Sequence, residues 1–198
     1  MVKMKEDSED TGNNSMNSET GPEDIIEYWF SEPVRQHWFA PSADVDREIA
    51  RLFGDLHRRA LAGELDGWAE QARGALALVI LLDQFSRNLH RGTAAAYAGD
   101  ERAVRVAHMA IGRGFDRMLQ DWETAFLYMP FMHSERLEDQ EDSVRLFTAA
   151  GLDNARYALH HRDLVRRFGR FPHRNAVLGR KSTPEEIAYL ASESAFRG

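Results

Sequence analysis

The stretch that decides the fold is "DVDREIARLFGDLHRRALAG", Asp44 to Gly63. Val45, Ile49, Leu52, Phe53, Leu56 and Ala60 recur at intervals of three and four, which gathers them on one stripe of an α-helix with charged residues opposite. Gly63 stands where a C-terminal cap belongs. The same period continues outward on both sides, and no convincing strand alternation interrupts it. Upstream, "PEDIIEYWF" reads as a short helix with Pro22 in its first turn and acids facing the helix dipole. Downstream, Gln71 to about Asn88 is apolar nearly all round between Leu76 and Leu82, the mark of a central helix buried on most sides. Asp100 is placed to cap a helix running to about Arg113, and Asp121 to cap another reaching Pro130. Further helices are expected over Glu138 to about Ala150, Asn154 to Phe168, and Thr183 to about Ser192, the last with capping-box spacing between Thr183 and Glu186. The expected fold is all-α, with about eight helices in antiparallel pairs making one domain over 22–198.

Composition limits the chemistry. The chain has 198 residues, 43% of them hydrophobic, and no cysteine, which excludes disulfides, thiolate metal sites, iron–sulfur clusters and a nucleophilic cysteine. Its most apolar run, "GALALVILL" from Gly74, is about half of the roughly 20 residues a membrane span needs, and it ends in Asp83. Residues 1–27 set two lysines against eight acids with almost no large apolar side chains before Ile25. Such a segment cannot offset its ordering entropy, so residues 1–21 are expected to be a disordered acidic tail, with Met16 an alternative start to Met1. Neither a secretory nor a transit signal is present, and a cytoplasmic, bacterial-type protein without a membrane partner is the expectation. Residues 156–181 hold eight Lys/Arg against the single acid Asp163. One short basic segment in an acidic body is unlike the broad basic face of a nucleic-acid binder, and no nucleic acid is expected as partner.

Polar residues lying on apolar stripes single out a site, because a buried polar group must find a partner. His161 shares a stripe with Tyr157, Leu164 and Phe168; His133 continues the stripe of Trp122, Phe126 and Met129; Gln140 faces inward with Leu137, Val144 and Phe147. Asp83 and Gln84 follow the most apolar turn of the central helix, with Arg87 one turn on and Arg91 another. Singly, each has a structural explanation: a core histidine, a buried ion pair, a helix-to-helix amide bond. Together they bring carboxylate, amide, imidazole and guanidinium groups from several helices. "RRFGRFPHRN", Arg166 to Asn175, adds guanidinium groups on a backbone stiffened by Pro172, with Phe168 and Phe171 as anchors. Arg170 and Arg174 are expected to point with Arg87 and Arg91 into one space, a cluster suited to carboxylate or phosphate.

The segments "YWF", "LLDQFSRNLHRG", "YMPFMHSERLEDQ" and "RFGRFPHRNAVLGRKSTPEE" resemble, in order and separation, the signature segments of the bacterial family known as domain of unknown function 924. The resemblance covers about Asp24 to Leu190 and implies a helical fold similar to tetratricopeptide-repeat superhelices, with no established activity. Carried over residue by residue, it implies a polar signature at Asp83, Gln84, Arg87, Asn88, Arg91, His133, Ser134, Glu135, Gln140, Arg170, His173, Arg174, Asn175 and Arg180. The chain departs from the family pattern at Ser86 and His90, where proline and tyrosine are common.

No "HExxH", "GxSxG", glycine-rich phosphate loop or dinucleotide fingerprint occurs, so no metal and no cofactor is assigned. A metal site from His133, Glu135, His161 and His173 would need the backbone to turn at "HSE". Three readings stay open. In the first, a polar pocket binds a small anionic molecule or a peptide carboxylate through Asp83, Gln84, Arg87, Arg91, Gln140, His161, Arg170, His173, Arg174 and Arg180. In the second, an enzyme uses the same pocket, with His133 and Glu135 as proton donor or acceptor. In the third, the polar set is a purely structural network in a protein-interaction scaffold.

Overall fold

The computed structural model describes residues 20–193 and 195–196. The acidic tail expected over 1–21 and both alternative starts lie outside the described residues, save Thr20 and Gly21. Among the described residues the regular structure is helical throughout: α1 (Pro22–Trp29), α2 (Glu32–Arg35), α3 (Ala43–Ala62), α4 (Ala72–Val79), α5 (Ser86–Leu89), α6 (Asp100–Gly112), α7 (Asp121–His133), α8 (Leu137–Ala149), α9 (Ala155–Phe168) and α10 (Pro184–Leu190). Short 3-10 turns join several of them. No helix among the described residues is long and apolar enough to cross a membrane.

Residues Ile80–Phe85 join α4 to α5 as a π-helical segment, so the expected central helix is one rod with a wider middle. Leu76 to Leu82 are all fully buried in this rod. Each of its buried leucine, valine and isoleucine side chains contributes about 1.5–3 kcal/mol of burial free energy, which makes the rod the centre of the fold. It is enclosed by α1, α3, α6 and α7, and α6 to α9 then stack in chain order, each against the next. This pairwise stacking is of the kind expected for a helical-repeat-like bundle. Trp29, Trp38 and Phe126 interlock, with the Trp38 and Phe126 rings 4.6 Å apart, and Trp29 meets Phe85 of the π segment edge-on. A smaller apolar cluster of Leu164, Val165, Phe171 and Tyr189 seats the C-terminal segment on α9.

Several expected boundaries shift for identifiable reasons. Asp100 and Asp121 are not caps but first-turn residues, preceded by Gly99 and Gln120, where their charge still favours the helix dipole. The box of Thr183 and Glu186 is formed as expected. Helix α7 does not stop at Pro130 but continues to His133. Its end is held by Gln140 of α8, whose Nε2 donates to the carbonyls of Phe131, Met132 and Ser134 at 3.3, 2.8 and 2.6 Å. Carbonyls that would otherwise be orphaned at a helix end are thereby satisfied, and the helix reaches far enough to deliver His133.

Candidate functional site

The site starts at the π segment. A π turn rotates the residues it contains relative to an α-helix and is often found where a side chain must be aimed. Asp83 lies inside it and is fully buried. Its carboxylate contacts His133 Nδ1 at 2.8 and 3.0 Å and Arg87 Nη1 at 3.1 Å, and accepts a hydrogen bond from Gln84 Nε2. Burial alone would raise its pKa. The Arg87 charge and His133, helped by the hydrogen bonds from His133 and Gln84, outweigh burial and hold it below the usual carboxylate range. An ionised carboxylate only accepts hydrogen bonds, so His133 Nδ1 carries the proton it donates. Among the described residues, none hydrogen-bonds to His133 Nε2, and His133 lines an open cleft.

Asp100 is the hub that sequence reasoning missed. It binds Arg87 through two hydrogen bonds of 2.9 and 3.1 Å and meets Arg174 Nη1 at 3.3 Å. Gly99 permits this approach: a Cβ there would lie 2.2 Å from the Leu82 carbonyl oxygen of the π segment. Arg174 is 6% exposed and lies between the rings of Tyr97 and Phe171, 4.5 and 4.6 Å from their centroids. Its Nη2 donates to the His133 carbonyl at 2.9 Å, while its buried Nε finds no partner among the described residues. Burial makes the charge on Arg174 harder to hold and lowers its pKa.

The basic loop is organised by carboxylates. Helix α9 ends on Gly169 in the left-handed region, φ 70°, and the next turn buries Phe171 completely. Glu135 accepts the Phe171 N–H at 2.8 Å and two hydrogen bonds from Arg180 at 2.6 and 3.0 Å. Burial pushes its pKa up, but Arg180 and the Phe171 N–H prevail and keep it low. With its oxygens so taken, Glu135 braces the loop.

The expected meeting of four arginines therefore reduces to two. Arg87 and Arg174 meet over Asp100. Arg91, two residues beyond the end of α5 at Leu89, pairs with Asp46 of α3 at 3.0 Å. Arg170 binds Glu186 at 2.7 Å, and Arg180 binds Glu135. Three further expected residues stay in the framework. Gln140 ends α7, with its Oε1 unpartnered among the described residues. His161 contacts the Tyr157 carbonyl through Nδ1 at 2.8 Å, and burial lowers its pKa to about 3. Burial lowers His173 to about 4, and Phe196 stands edge-on to both rings.

The cleft that His133 opens into has a volume of about 600 Å³ and lies between α6, the end of α7 and the loop after Arg174. Tyr97, Asp100 and Arg105 form one wall, and Glu135, Arg136 and Asp139 another. Of these only Glu135 was expected from sequence. A second concavity of about 620 Å³ borders the start of α3, but its charges are exposed and paired locally, Arg47 with Asp44 and Arg51 with Glu48.

The family model described as "Bacterial protein of unknown function (DUF924)" matches residues 25–194. A solved structure, that of a protein of unknown function from Agrobacterium tumefaciens, is 43% identical, with a TM-score of 0.82 over 86% of this chain and 96% of that one. No curated protein is significantly similar to the chain.

Proposed function

The chain belongs to the bacterial DUF924 family of proteins of unknown function, and from that premise we propose that the cleft beside His133 binds a small anionic molecule or a peptide carboxylate, with Arg174 as its anchor. The observation that carries this reading is the sharing of Asp100. One carboxylate serves two guanidinium groups, and Arg87 holds it with the better geometry, leaving Arg174 buried at the cleft and incompletely neutralised. Guanidinium groups already fixed by aromatic rings lose little entropy when they bind.

The Asp83–His133 contact favours a second reading at the same place. A carboxylate that fixes the tautomer and ring orientation of a histidine, leaving Nε2 facing a ligand space, is the arrangement that general acid–base catalysis requires. On this reading His133 takes a proton from, or gives one to, a bound anion, while Glu135 remains structural.

The test is thermal melting in phosphate, sulfate or succinate against chloride at matched ionic strength. A ligand at a hundred times its dissociation constant adds about 2.7 kcal/mol of stability, and Arg174→Met should remove that gain. Should the wild type show no preference among anions, the binding reading fails. His133→Gln separates the two readings: it spares affinity and abolishes turnover if His133 transfers protons, and lowers stability by roughly 1–3 kcal/mol if it is only a buried partner.

A further inference from the structure

We propose that the ligand of this cleft is an amino carboxylate, carrying an ammonium group as well as the carboxylate. The proposal rests on the anion-binding reading above and adds a second, oppositely charged subsite centred on Asp139.

Most charges in the cleft wall are matched by a near neighbour. Arg105 binds Glu101 at 2.7 Å, Asp100 is held by Arg87, and Glu135 by Arg180. Asp139 is matched only loosely. It is only 6% exposed, yet no arginine or lysine of the described residues lies within hydrogen-bond reach of it. One oxygen accepts the Ser134 hydroxyl at 2.6 Å, which is a neutral partner. His108 Nε2 stands 3.5 Å from the other, at the outer limit of a hydrogen bond, and Arg136 Nε is 3.9 Å from the first. Its place in the first turn of α8 gives the carboxylate some help from the helix dipole. That is weak compensation for a buried carboxylate, which ordinarily has a hydrogen-bonded cation.

The same cleft thus holds a guanidinium short of anion and a carboxylate short of cation. Val104 and Leu178 add apolar wall, suited to the carbon chain that would separate the two ends of a ligand. A carboxylate at Arg174 and His133 with an ammonium at Asp139 satisfies both deficits at once. A simple dianion would satisfy one and be repelled by the other.

The experiment titrates the full chain by calorimetry and thermal melting at matched ionic strength. The probes are ω-amino acids of increasing length from glycine upward, each paired with its matching fatty acid and primary amine. The expected result is one length whose amino acid binds about tenfold more tightly than either partner compound. Asp139→Asn, which keeps an acceptor for Ser134, should erase that advantage without weakening the response to the fatty acid. If the fatty acid or phosphate binds as tightly as every amino acid, the proposal is overturned and the anion cleft stands. A primary amine binding as well as the amino acid also overturns it. Silence from all carboxylates and phosphate sinks both readings together. Should Asp139→Asn not fold, the wild-type series decides alone.

Discussion

The apolar and polar halves of the central rod are stabilised in opposite ways. From Leu76 to Leu82 the side chains contribute by area removed from water, spread over many neighbours. One residue further, Asp83 and Arg87 hold their places by directional pairing with His133 and Asp100. Area is forgiving, because neighbours can partly collapse into a gap. A buried charge is not, since its partners cannot relax into water. The apolar end can therefore be varied in shape at modest cost, whereas the polar end is fixed in identity, and a site is built where identity is fixed.

The largest expected effect sets the two ends side by side. Asp83→Ala should cost about 3–5 kcal/mol by leaving His133 without its carboxylate and Arg87 with Asp100 alone. Leu78→Ala should cost about 2–5 kcal/mol through a cavity. A double-mutant cycle sharpens the contrast: adding Arg87→Met should recover part of the Asp83→Ala loss and none of the Leu78→Ala loss, as read by urea unfolding. Additivity in both cases would break the comparison.

Acid comes next. Burial holds His57 at about 4, His161 at about 3 and His173 at about 4, all below the ordinary value near 6.5. The unfolded chain binds protons that the folded one refuses, so stability is complete above about 6.5 and falls as the pH drops toward those folded values, by roughly 1.4 kcal/mol per pH unit for each histidine. Asp83, and Glu186 through Arg170, have depressed values, and their contribution persists until the pH falls through the unfolded carboxylate range near 4. Unfolding midpoints measured from neutral to mildly acid pH check the slope. His161→Leu should flatten it by one histidine's share.

The smallest effect concerns Arg91, whose pair with Asp46 is half exposed. Arg91→Met should change stability by less than about 1 kcal/mol and leave the response to anions untouched. Loss of that response would return Arg91 to the cleft and redraw the polar end.

The sequence made the eight main helices legible because each carries its own period and end signals; Thr183 with Glu186 and the stop at Gly63 needed no tertiary information. It also marked Asp83, Arg87 and His133, since polar groups beside or on apolar stripes must pair, and Arg174 through the basic loop that carries it. It could not show which carboxylate would meet which arginine. Asp100 reads as an ordinary first-turn acid, and only the close approach at Gly99 brings it to Arg87 and Arg174. Tyr97 and Asp139 carry no local signal at all. The π segment was hidden for a related reason: the run from Leu76 to Leu82 is apolar on every side, and a stripe that wraps fully round has no phase from which a change of winding can be read.

The wiring of the polar end also sets an order in time. Asp83 meets His133 across 50 positions of chain, and Arg174 meets Asp100 across 74. Helix pairs such as α7 with α8 and α8 with α9 close over short loops. Contacts between distant positions wait on larger losses of chain entropy, so the helical hairpins are expected to assemble before the cluster of Asp83, Asp100, His133 and Arg174 locks, an order that φ-values at these positions would test. Interactions that form after the transition state govern how long a molecule stays folded more than how fast it folds. The groups that make the cleft are thus also the latch that slows its unfolding.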